Sequence, residues 1–193
     1  MCELIEDNTG WRRALRREMV GRRSALTKAQ HDDLSAAIVR HLLAALPRPE
    51  IAVFCWPIKH EPDVRAIVQP WAAQGVRLAL PVVVADAAPL AFRLWTAESE
   101  LRPDRYGIPT PTAGEFVHPD LILLPLNGFD SAGYRLGYGG GFFDRTLAAL
   151  SPRPLAVGVG FEIIRVESIR PEAHDQRLDW IVTEQGVFSP LIA

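Results

Sequence analysis

Apolar residues recur along the chain with two different spacings, and each spacing predicts its own kind of element. Trp11, Leu15 and Met19 follow one another at intervals of four residues among arginines, which is the stripe of an amphipathic helix. A second helix is predicted to begin at Thr27, because a glutamine three positions later completes a capping-box pattern, and to end at Pro47. Its buried face is expected to carry Leu34, Ile38 and Leu42.

Short and almost wholly apolar runs follow, and these predict β-strands. Because no polar face alternates with the apolar one, such strands are expected to be covered on both faces. The predicted strands span residues 51–56, 78–84, 90–94, 120–124, 155–161 and 180–183.

Further helices are predicted after Asp63, ending at Gly75, and over about 142–150. Residues 102–119 are rich in proline, glycine and threonine and are predicted to be irregular. Strands that alternate with helices predict an α/β fold, in which a largely parallel sheet carries helices on both faces.

Composition limits the range of functions. A length of 193 residues with 48% hydrophobic residues fits one domain over residues 1–193. The formal net charge of −2 provides no field that would attract nucleic acid or an anionic membrane, and no apolar run approaches the roughly 18 residues of a membrane span. Cys2 and Cys55 give neither a disulfide framework nor metal-ligand spacing, and residues 1–8 are acidic, unlike a secretory signal. We therefore expect a soluble protein of the reducing cytoplasm.

The glycine-rich segment 135–144 is the strongest candidate for a ligand site. It reads Arg-Leu-Gly-Tyr-Gly-Gly-Gly-Phe-Phe-Asp and stands between a predicted strand and a predicted helix, where glycines let backbone N–H groups approach a phosphate. Neither a P-loop nor a dinucleotide fingerprint fits, because no Lys-Ser or Lys-Thr follows the glycines and Phe142 occupies the last glycine position. A tight turn without a ligand is the alternative, but Arg135 and Arg145 at the two ends favour an anion.

The segment is similar to the signature loop of the 5-formyltetrahydrofolate cyclo-ligases, also called 5,10-methenyltetrahydrofolate synthetases. Further stretches resemble family motifs in the same order: 12–16, 56–63 (Trp-Pro-Ile-Lys-His-Glu-Pro-Asp), 107–111, 124–130 (Leu-Pro-Leu-Asn-Gly-Phe-Asp), 171–179 and 183–184. Several motifs in the right order are far more specific than any one alone. The resemblance covers almost the whole chain and implies a three-layer α/β/α fold with a mostly parallel sheet, similar to the sugar-isomerase and CoA-transferase architecture.

The resemblance implies ATP-dependent closure of 5-formyltetrahydrofolate to 5,10-methenyltetrahydrofolate, with release of ADP and phosphate. In the reaction proposed for the family, the formyl oxygen attacks the γ-phosphate, and the neighbouring amine then closes the ring and expels phosphate. Such a reaction needs phosphates held in line by backbone donors, cations and a metal more than a side-chain acid or base, so no catalytic acid or base is assigned. The expected partners are small molecules, with no nucleic acid or membrane, and the expected assembly is a monomer or weak homodimer.

Site residues for ATP and metal follow from the same match. Arg12 and Arg16 lie one helical turn apart and so share a face that could reach a phosphate; without the match they would be a solvated surface, and Arg12 replaces a lysine of many members. Asp144 and Asp175 match the family's Mg²⁺ ligands, although Asp144 could serve only as a carboxylate at a helix N-terminus. His174 is assigned a structural role. The expected ATP contacts are Arg12, Arg16, Arg135, Gly137, Tyr138, Gly139, Gly140, Gly141, Phe142 and Phe143.

The folate is expected to contact Trp56, Glu61, Tyr138 and Phe142. Glu61 follows the first strand, and its carboxylate suits the donor edge of a pterin; a surface glutamate before a proline turn is the alternative. Trp56 either stacks on the pterin ring or fills the core.

Two departures from the family leave the substrate open. Phe142 and Phe143 stand where tyrosines are often found, and residues 160–165 lack a glutamine that is common near that point. The alternatives are therefore a family member with a different substrate and a paralogue that binds folate or nucleotide without turnover. An RNA-binding module built on the arginine-rich helix is a further alternative, which the modest charge and the absence of RNA-recognition motifs disfavour.

Overall fold

The computed structural model describes residues 8–190; Cys2 and the rest of residues 1–7 lie outside the described part of the chain. Within that part the α-helices are α1 Asn8–Ser24, α2 Lys28–Ala45, α3 Val68–Ala73 and α4 Phe142–Ala149. The strands are β1 Ile51–Val53, β2 Arg77–Val82, β3 Ala91–Leu94, β4 Leu101–Pro103, β5 Pro109–Pro111, β6 Leu121–Pro125, β7 Leu155–Val159, β8 Trp180–Thr183 and β9 Gly186–Phe188. Short 3₁₀ turns lie at Arg65–Ile67 and Glu162–Ile164.

Seven of the strands form one sheet in the order β3-β2-β1-β6-β7-β8-β9. The inner strands from β2 to β8 run parallel, whereas β3 and β9 pair antiparallel at the two edges. Ala52 of β1 is paired with Leu78 of β2 on one side and with Leu121 of β6 on the other. The predicted α/β class with a mostly parallel sheet is therefore confirmed.

Helices cover both faces of this sheet, as the apolar strands predict. On one face α2 and α3 pack on a core that joins Leu42 to Leu123, and on the other face Met19 of α1 and Leu147 of α4 pack against Ile122. Ile122 and Leu123 belong to different cores because successive side chains of a strand point to opposite faces. The layers are thus helix, sheet and helix.

The predicted N-terminal helices are present, and the capping box is formed. The N–H of Gln30 donates to the Thr27 hydroxyl at 3.3 Å, and the N–H of Thr27 donates to the Gln30 side chain at 2.9 Å. Asp63 acts differently from the prediction, because its short carboxylate accepts the N–H of Arg65 at 3.0 Å at a 3₁₀ turn, and α3 follows only after that turn. Among residues 8–190 no helix is both long enough and apolar enough to cross a membrane.

Two strand assignments from the sequence were incomplete. Residues 102–119 are not wholly irregular, because β4 and β5 form a two-stranded antiparallel ribbon there. The Asp104 carboxylate holds the turn between them by accepting the N–H groups of Tyr106 and Ile108 at 2.8 and 2.9 Å. The prolines in both strands concealed the ribbon, since proline is rare within sheets. The edge strand β9 was not predicted at all, because three residues give a weak pattern.

The carboxyl ends of β1, β6 and β7 meet at one edge of the sheet, where parallel α/β proteins bind ligands. β1 and β7 are shorter than the predicted 51–56 and 155–161 because the chain leaves the sheet there. Three segments consequently lie together at this edge: the turn 57–61 after β1, the loop 126–141 after β6 and the turn 160–164 after β7.

Candidate active site

The glycine segment forms the loop between β6 and α4 and is fastened at its base by the backbone. The N–H of Asn127 donates to Leu136 O at 2.9 Å, and the N–H of Leu136 donates to Gly128 O at 2.8 Å. Beyond this base, Gly139 and Gly141 adopt φ values of 95° and 63°, which glycine reaches without strain. Gly141 directly precedes α4, and no side chain caps that helix end. The first N–H groups of α4 and the positive end of its dipole therefore suit an anion at the loop.

Two arginines lie against the loop, one from α1 and one from α4. Arg16 Nε donates to Gly137 O at 2.7 Å, and Arg145 Nη2 donates to Gly140 O at 2.5 Å. A methyl group at Gly139 would lie 3.5 Å from the guanidinium carbon of Arg16, so this cation is directly beside the loop. The arrangement combines two positive side chains with a helix N-terminus, as a phosphate site requires.

Arg12 lies one turn before Arg16 but is engaged by a different partner. Its guanidinium donates to both carboxylate oxygens of Asp175, at 2.9 and 3.1 Å, and the two side chains are 8% and 4% exposed. Burial alone would raise the pKa of Asp175, but the Arg12 guanidinium and the N–H of Glu172 more than offset it, so the pKa lies below its usual value. The structure thus brings Arg16 to the glycine loop and pairs Arg12 with the carboxylate that the sequence suggested as a metal ligand.

A second ion pair joins the start of α4 to the same segment. Arg135 Nη2 donates to Asp144 Oδ1 at 3.0 Å, and the N–H of Gln176 donates to that same oxygen at 3.0 Å. Arg135 Nη1 donates to Gln176 O at 3.0 Å, and its side chain is only 3% exposed. The buried Arg135 therefore orients Asp144 by holding its Oδ1. The predicted direct contact of Arg135 with ATP stays a prediction.

The two aspartates differ in how well they fit a magnesium ion. Asp144 commits Oδ1, while its Oδ2 accepts no hydrogen bond from residues 8–190 and the side chain is 18% exposed. Asp175 has both oxygens held by Arg12, so it could ligate only if that pair separated. Within residues 8–190 no three His, Cys, Asp or Glu side chains converge as a metal cage. One carboxylate oxygen together with ATP oxygens and water suits Mg²⁺, so the residues fit a nucleotide-bound ion at Asp144.

Glu61 lies on the other side of the glycine loop in a buried network. Glu61 is 3% exposed. Its Oε1 accepts a hydrogen bond from the Tyr138 hydroxyl at 2.6 Å, and its Oε2 accepts one from the N–H of Ile58 at 3.0 Å. Arg23 Nη2 in turn donates to the Tyr138 hydroxyl oxygen at 3.3 Å. Burial raises the pKa of Glu61, and the hydrogen bond from Tyr138, the Ile58 N–H and the charge of Arg23 only partly oppose this. Glu61, the carboxylate predicted to bind the folate, is therefore a buried, hydrogen-bonded group and not a surface glutamate.

The turn that carries Glu61 is strained and borders an open cavity. Lys59 and His60 are consecutive residues with φ of 49° and 58°, a region that costs non-glycine residues free energy. The cavity is about 390 Å³, and its lining consists of His31, Pro57, Ile58, Lys59, His60, Glu61 and Asp63. A strained turn beside a concave surface is typical of a ligand site.

The predicted aromatic contacts lie in different environments. Trp56 is half-buried against the α2/α3 core, edge-on to Trp95 with ring centroids 6.2 Å apart. Phe142 and Phe143 pack partly on the α1/α4 core, and Phe142 also meets Tyr106 of the β4–β5 turn edge-on at 5.9 Å. Tyr138 is 40% exposed, with the Lys59 amine 4.9 Å from its ring centre. Of the four, Tyr138 alone touches Glu61, and the stacking roles of the others stay predictions.

Sequence reasoning missed Arg23, which is fully buried at the site. It looked like one more member of a basic helix. A usable signal existed, because Arg23 lies seven residues after Arg16 and so returns to the same helix face after two turns.

Comparisons with known proteins identify the family of the chain. The sequence model of the 5-formyltetrahydrofolate cyclo-ligase family matches residues 8–184. The 5-formyltetrahydrofolate cyclo-ligase of Escherichia coli (strain K12) is 31% identical over 177 residues, which cover 86% of this chain and 97% of that protein. The protein of the same name from Haemophilus influenzae is 28% identical over 178 residues, covering 87% and 95%.

A solved structure shows the same fold. The NMR structure of Aquifex aeolicus 5,10-methenyltetrahydrofolate synthetase superposes with a TM-score of 0.79 at 29% identity, covering 94% of each chain. The family match includes α1, the turn that carries Glu61, the glycine loop and Asp175. On these grounds the chain belongs to the 5-formyltetrahydrofolate cyclo-ligase family, which is a family of ligases.

Proposed function

We propose that the protein closes 5-formyltetrahydrofolate to 5,10-methenyltetrahydrofolate with ATP. The observation that carries the proposal is the 2.6 Å hydrogen bond between Tyr138 of the glycine loop and Glu61 of the β1 turn. It means that a phosphate-binding loop and a buried carboxylate suited to a pterin edge lie side by side. A reaction that joins a folate oxygen to a γ-phosphate requires this proximity.

The proposed phosphate site consists of the glycine loop, the N-terminus of α4 and the two arginines that border them. Arg16 and Arg145 supply positive charge where negative charge moves from the γ-phosphate to ADP. Their present bonds to Gly137 O and Gly140 O show that both guanidinium groups are within reach of the loop. A bound Mg²⁺ would neutralise phosphate charge, and Asp144 is the residue that would hold it.

The proposed folate site lies at Glu61. The amino and ring N–H groups of a pterin donate hydrogen bonds, and a carboxylate with remaining lone pairs accepts them. The formyl oxygen then bonds to the γ-phosphorus as the bond to ADP breaks, and the neighbouring nitrogen attacks the activated carbon. Loss of the proton from that nitrogen and departure of the phosphate, which takes up the proton, leave the methenyl bridge, so no oxidant or reductant is needed. A reducing cytoplasm is the proposed compartment.

The test is a spectrophotometric assay of purified protein with 5-formyltetrahydrofolate, ATP and Mg²⁺, following the methenyl chromophore. Product that disappears when any one component is omitted is the expected result. If no product forms although ATP protects the protein against thermal unfolding, the proposal is wrong, and the protein is a nucleotide-binding paralogue or acts on another substrate. The replacement of two tyrosines by Phe142 and Phe143 makes that outcome worth distinguishing.

A further inference from the structure

A guanidinium group and a carboxyl group are buried at the site without a direct hydrogen bond between them. Arg23 is 0% exposed and Glu61 is 3% exposed, and no direct ion pair joins them within the described chain. The Tyr138 hydroxyl lies between them, donating to Glu61 at 2.6 Å and accepting from Arg23 at 3.3 Å. Since an unpaired buried charge is costly, this hydroxyl occupies the position through which the cation and the anion stabilise each other.

Arg23 is fixed in place by three segments that converge on the site. Nη1 donates to Leu126 O at 2.7 Å at the end of β6, and Nη2 donates to Lys59 O at 3.2 Å in the β1 turn as well as to Tyr138. The first two acceptors are neutral carbonyls, so Glu61 is the carboxylate whose pKa responds to the charge of Arg23. The planar guanidinium presents its donors in a rigid fork on two nitrogens, a geometry that the single, compact ammonium of a lysine does not reproduce.

We propose that Tyr138 and Arg23 are positioning residues that hold Glu61 as an oriented anionic acceptor for the substrate. The inference rests on the proposed function, because it assumes that Glu61 receives the pterin edge. It goes beyond that function by assigning the orientation of Glu61 to a side chain of the phosphate-binding loop. The conformation of the glycine loop consequently affects the orientation of Glu61 at the proposed folate site through the Tyr138 hydroxyl.

The charge environment of Glu61 supports this assignment. Burial raises the pKa of Glu61, whereas the Tyr138 hydrogen bond and the charges of Arg23 and Lys59 lower it. Two further titratable groups lie nearby: the His31 ring, which is 2.8 Å from the backbone carbonyl of Glu61 and not from its carboxylate, and the Cys55 thiol, whose own pKa is raised by burial and by the charge of Glu61. Removing the Tyr138 hydroxyl therefore removes a group that favours the ionised carboxylate.

The decisive variant is Tyr138→Phe, which keeps the ring and loses only the hydroxyl. The KM for 5-formyltetrahydrofolate should rise about tenfold, as expected for a lost hydrogen bond to a charged group, while the KM for ATP should stay within about twofold. Tyr134→Phe is the matched control. Tyr134 lies in the same loop, but its ring lies beside Arg177 and not beside Glu61. The control should leave both KM values unchanged.

The pH profile provides a readout that a purely structural role would not change. The folate KM should rise as the pH falls through the pKa of Glu61, because the protonated carboxyl is a poor acceptor for the pterin donors. In Tyr138→Phe this rise should occur at a higher pH than in the wild type. Arg23→Gln, which removes the positive charge that lowers this pKa, should shift it in the same direction, and the effects of the two substitutions should be less than additive because both act through Glu61.

The outcomes separate this inference from the proposed function. Equal increases in the KM for folate and ATP in Tyr138→Phe, or an unshifted pH profile, would overturn the inference and leave the function standing. A wild-type protein that neither binds folate nor forms product overturns both. Thermal unfolding of each variant checks the fold, and Tyr138→Phe removes only one oxygen atom while it keeps the ring.

Discussion

A buried carboxylate lies on each side of the glycine loop, and the two differ in how they are linked to an arginine. Asp175 is paired directly with Arg12 through two hydrogen bonds, and its pKa is lowered, whereas Glu61 meets Arg23 only through the Tyr138 hydroxyl, and its pKa is raised. Asp175 accepts three hydrogen bonds, two from Arg12 and one from the N–H of Glu172, and the pair with Arg12 joins two distant segments. Glu61 accepts two, one on each oxygen, and so keeps more lone pairs for a ligand's donors.

The same contrast reverses the pH dependence of folding. A lowered folded pKa means that Asp175 stabilises the protein above its unfolded pKa and that this contribution is lost as the pH falls through the folded value. The folded pKa of Glu61 is raised, so its contribution to folding stability is present at low pH and is lost as the pH rises through that folded pKa. One carboxylate is thus suited to structure and the other to binding.

The largest effect is expected at Asp144. Asp144→Asn keeps the shape but removes the charge that pairs with buried Arg135 and the oxygen proposed for Mg²⁺. The kcat should fall about a hundredfold or more, measured at saturating ATP across a Mg²⁺ titration. Asp86→Asn, an exposed aspartate with the same substitution, is the control. Activity within twofold of the wild type would remove Asp144 from the site.

Breaking the directly paired side should chiefly affect stability. Arg12→Gln leaves the buried Asp175 without its cation, and the free energy of unfolding should fall by about 3 kcal/mol at pH 7. The wild type should lose stability on acidification below about pH 4, and the variant should lose less because Asp175 is no longer held ionised. Urea unfolding over a range of about pH 3 to 7, which spans the usual pKa of a carboxyl group, measures the free energy of unfolding at pH 7 and its loss on acidification. Parallel pH curves for the two proteins would contradict the pairing.

Breaking the bridged side should chiefly affect the folate. Glu61→Gln retains the size of the side chain but removes the anionic acceptor, so the KM for 5-formyltetrahydrofolate should rise about tenfold or more. The KM for ATP should change little, because the glycine loop keeps its own arginines. Steady-state kinetics with each substrate varied in turn would show the difference. An ATP effect as large as the folate effect would mean that Glu61 serves the loop rather than the pterin.

The smallest effect tests the loop between the two sides. Gly141→Ala places a side chain at φ 63° and should cost about 1 kcal/mol of stability. The added methyl group would lie 2.8 Å from the end of the flexible Arg145 side chain, which can move. Gly137→Ala is the matched control and should be nearly neutral, since no atom lies within 4 Å of the added methyl. Thermal unfolding of both variants gives the comparison, and equal losses would show that backbone conformation is not the cause.

The sequence predicted those features that depend on local pattern. The α1 stripe, the capping box at Thr27 and the glycine loop before α4 all follow from spacing or from backbone freedom, and the structure has each of them. Family motifs also indicated Glu61 and Asp175 as residues of interest. These signals work because neighbours in sequence are neighbours in the element.

Tertiary pairing could not be predicted in the same way. Nothing near Arg12 in the sequence shows that its partner lies 163 positions away, and nothing distinguishes buried Arg23 from exposed Arg22 beside it except its phase on the helix. The β4–β5 ribbon was missed because its prolines oppose strand formation, and only the Asp104 turn compensates. Pairing of this kind depends on which elements meet, and that is decided by the whole chain.

The order of strands also determines when the protein can become functional during synthesis. The inner strand β1 pairs with β6, the central strand of the sheet, and the Asp120 carboxylate accepts the N–H groups of Glu50 and Ile51 across 70 and 69 positions. The middle of the sheet therefore cannot close until residue 125 has left the ribosome, and contacts of such long range form slowly. Arg12 is synthesised before Asp175 and can pair with it only after the 163 positions that separate them have been made. The basic helix α1 consequently lacks this partner while the intervening chain is made, and the ion pair beside the candidate site forms only after β6 and β7 have been synthesised.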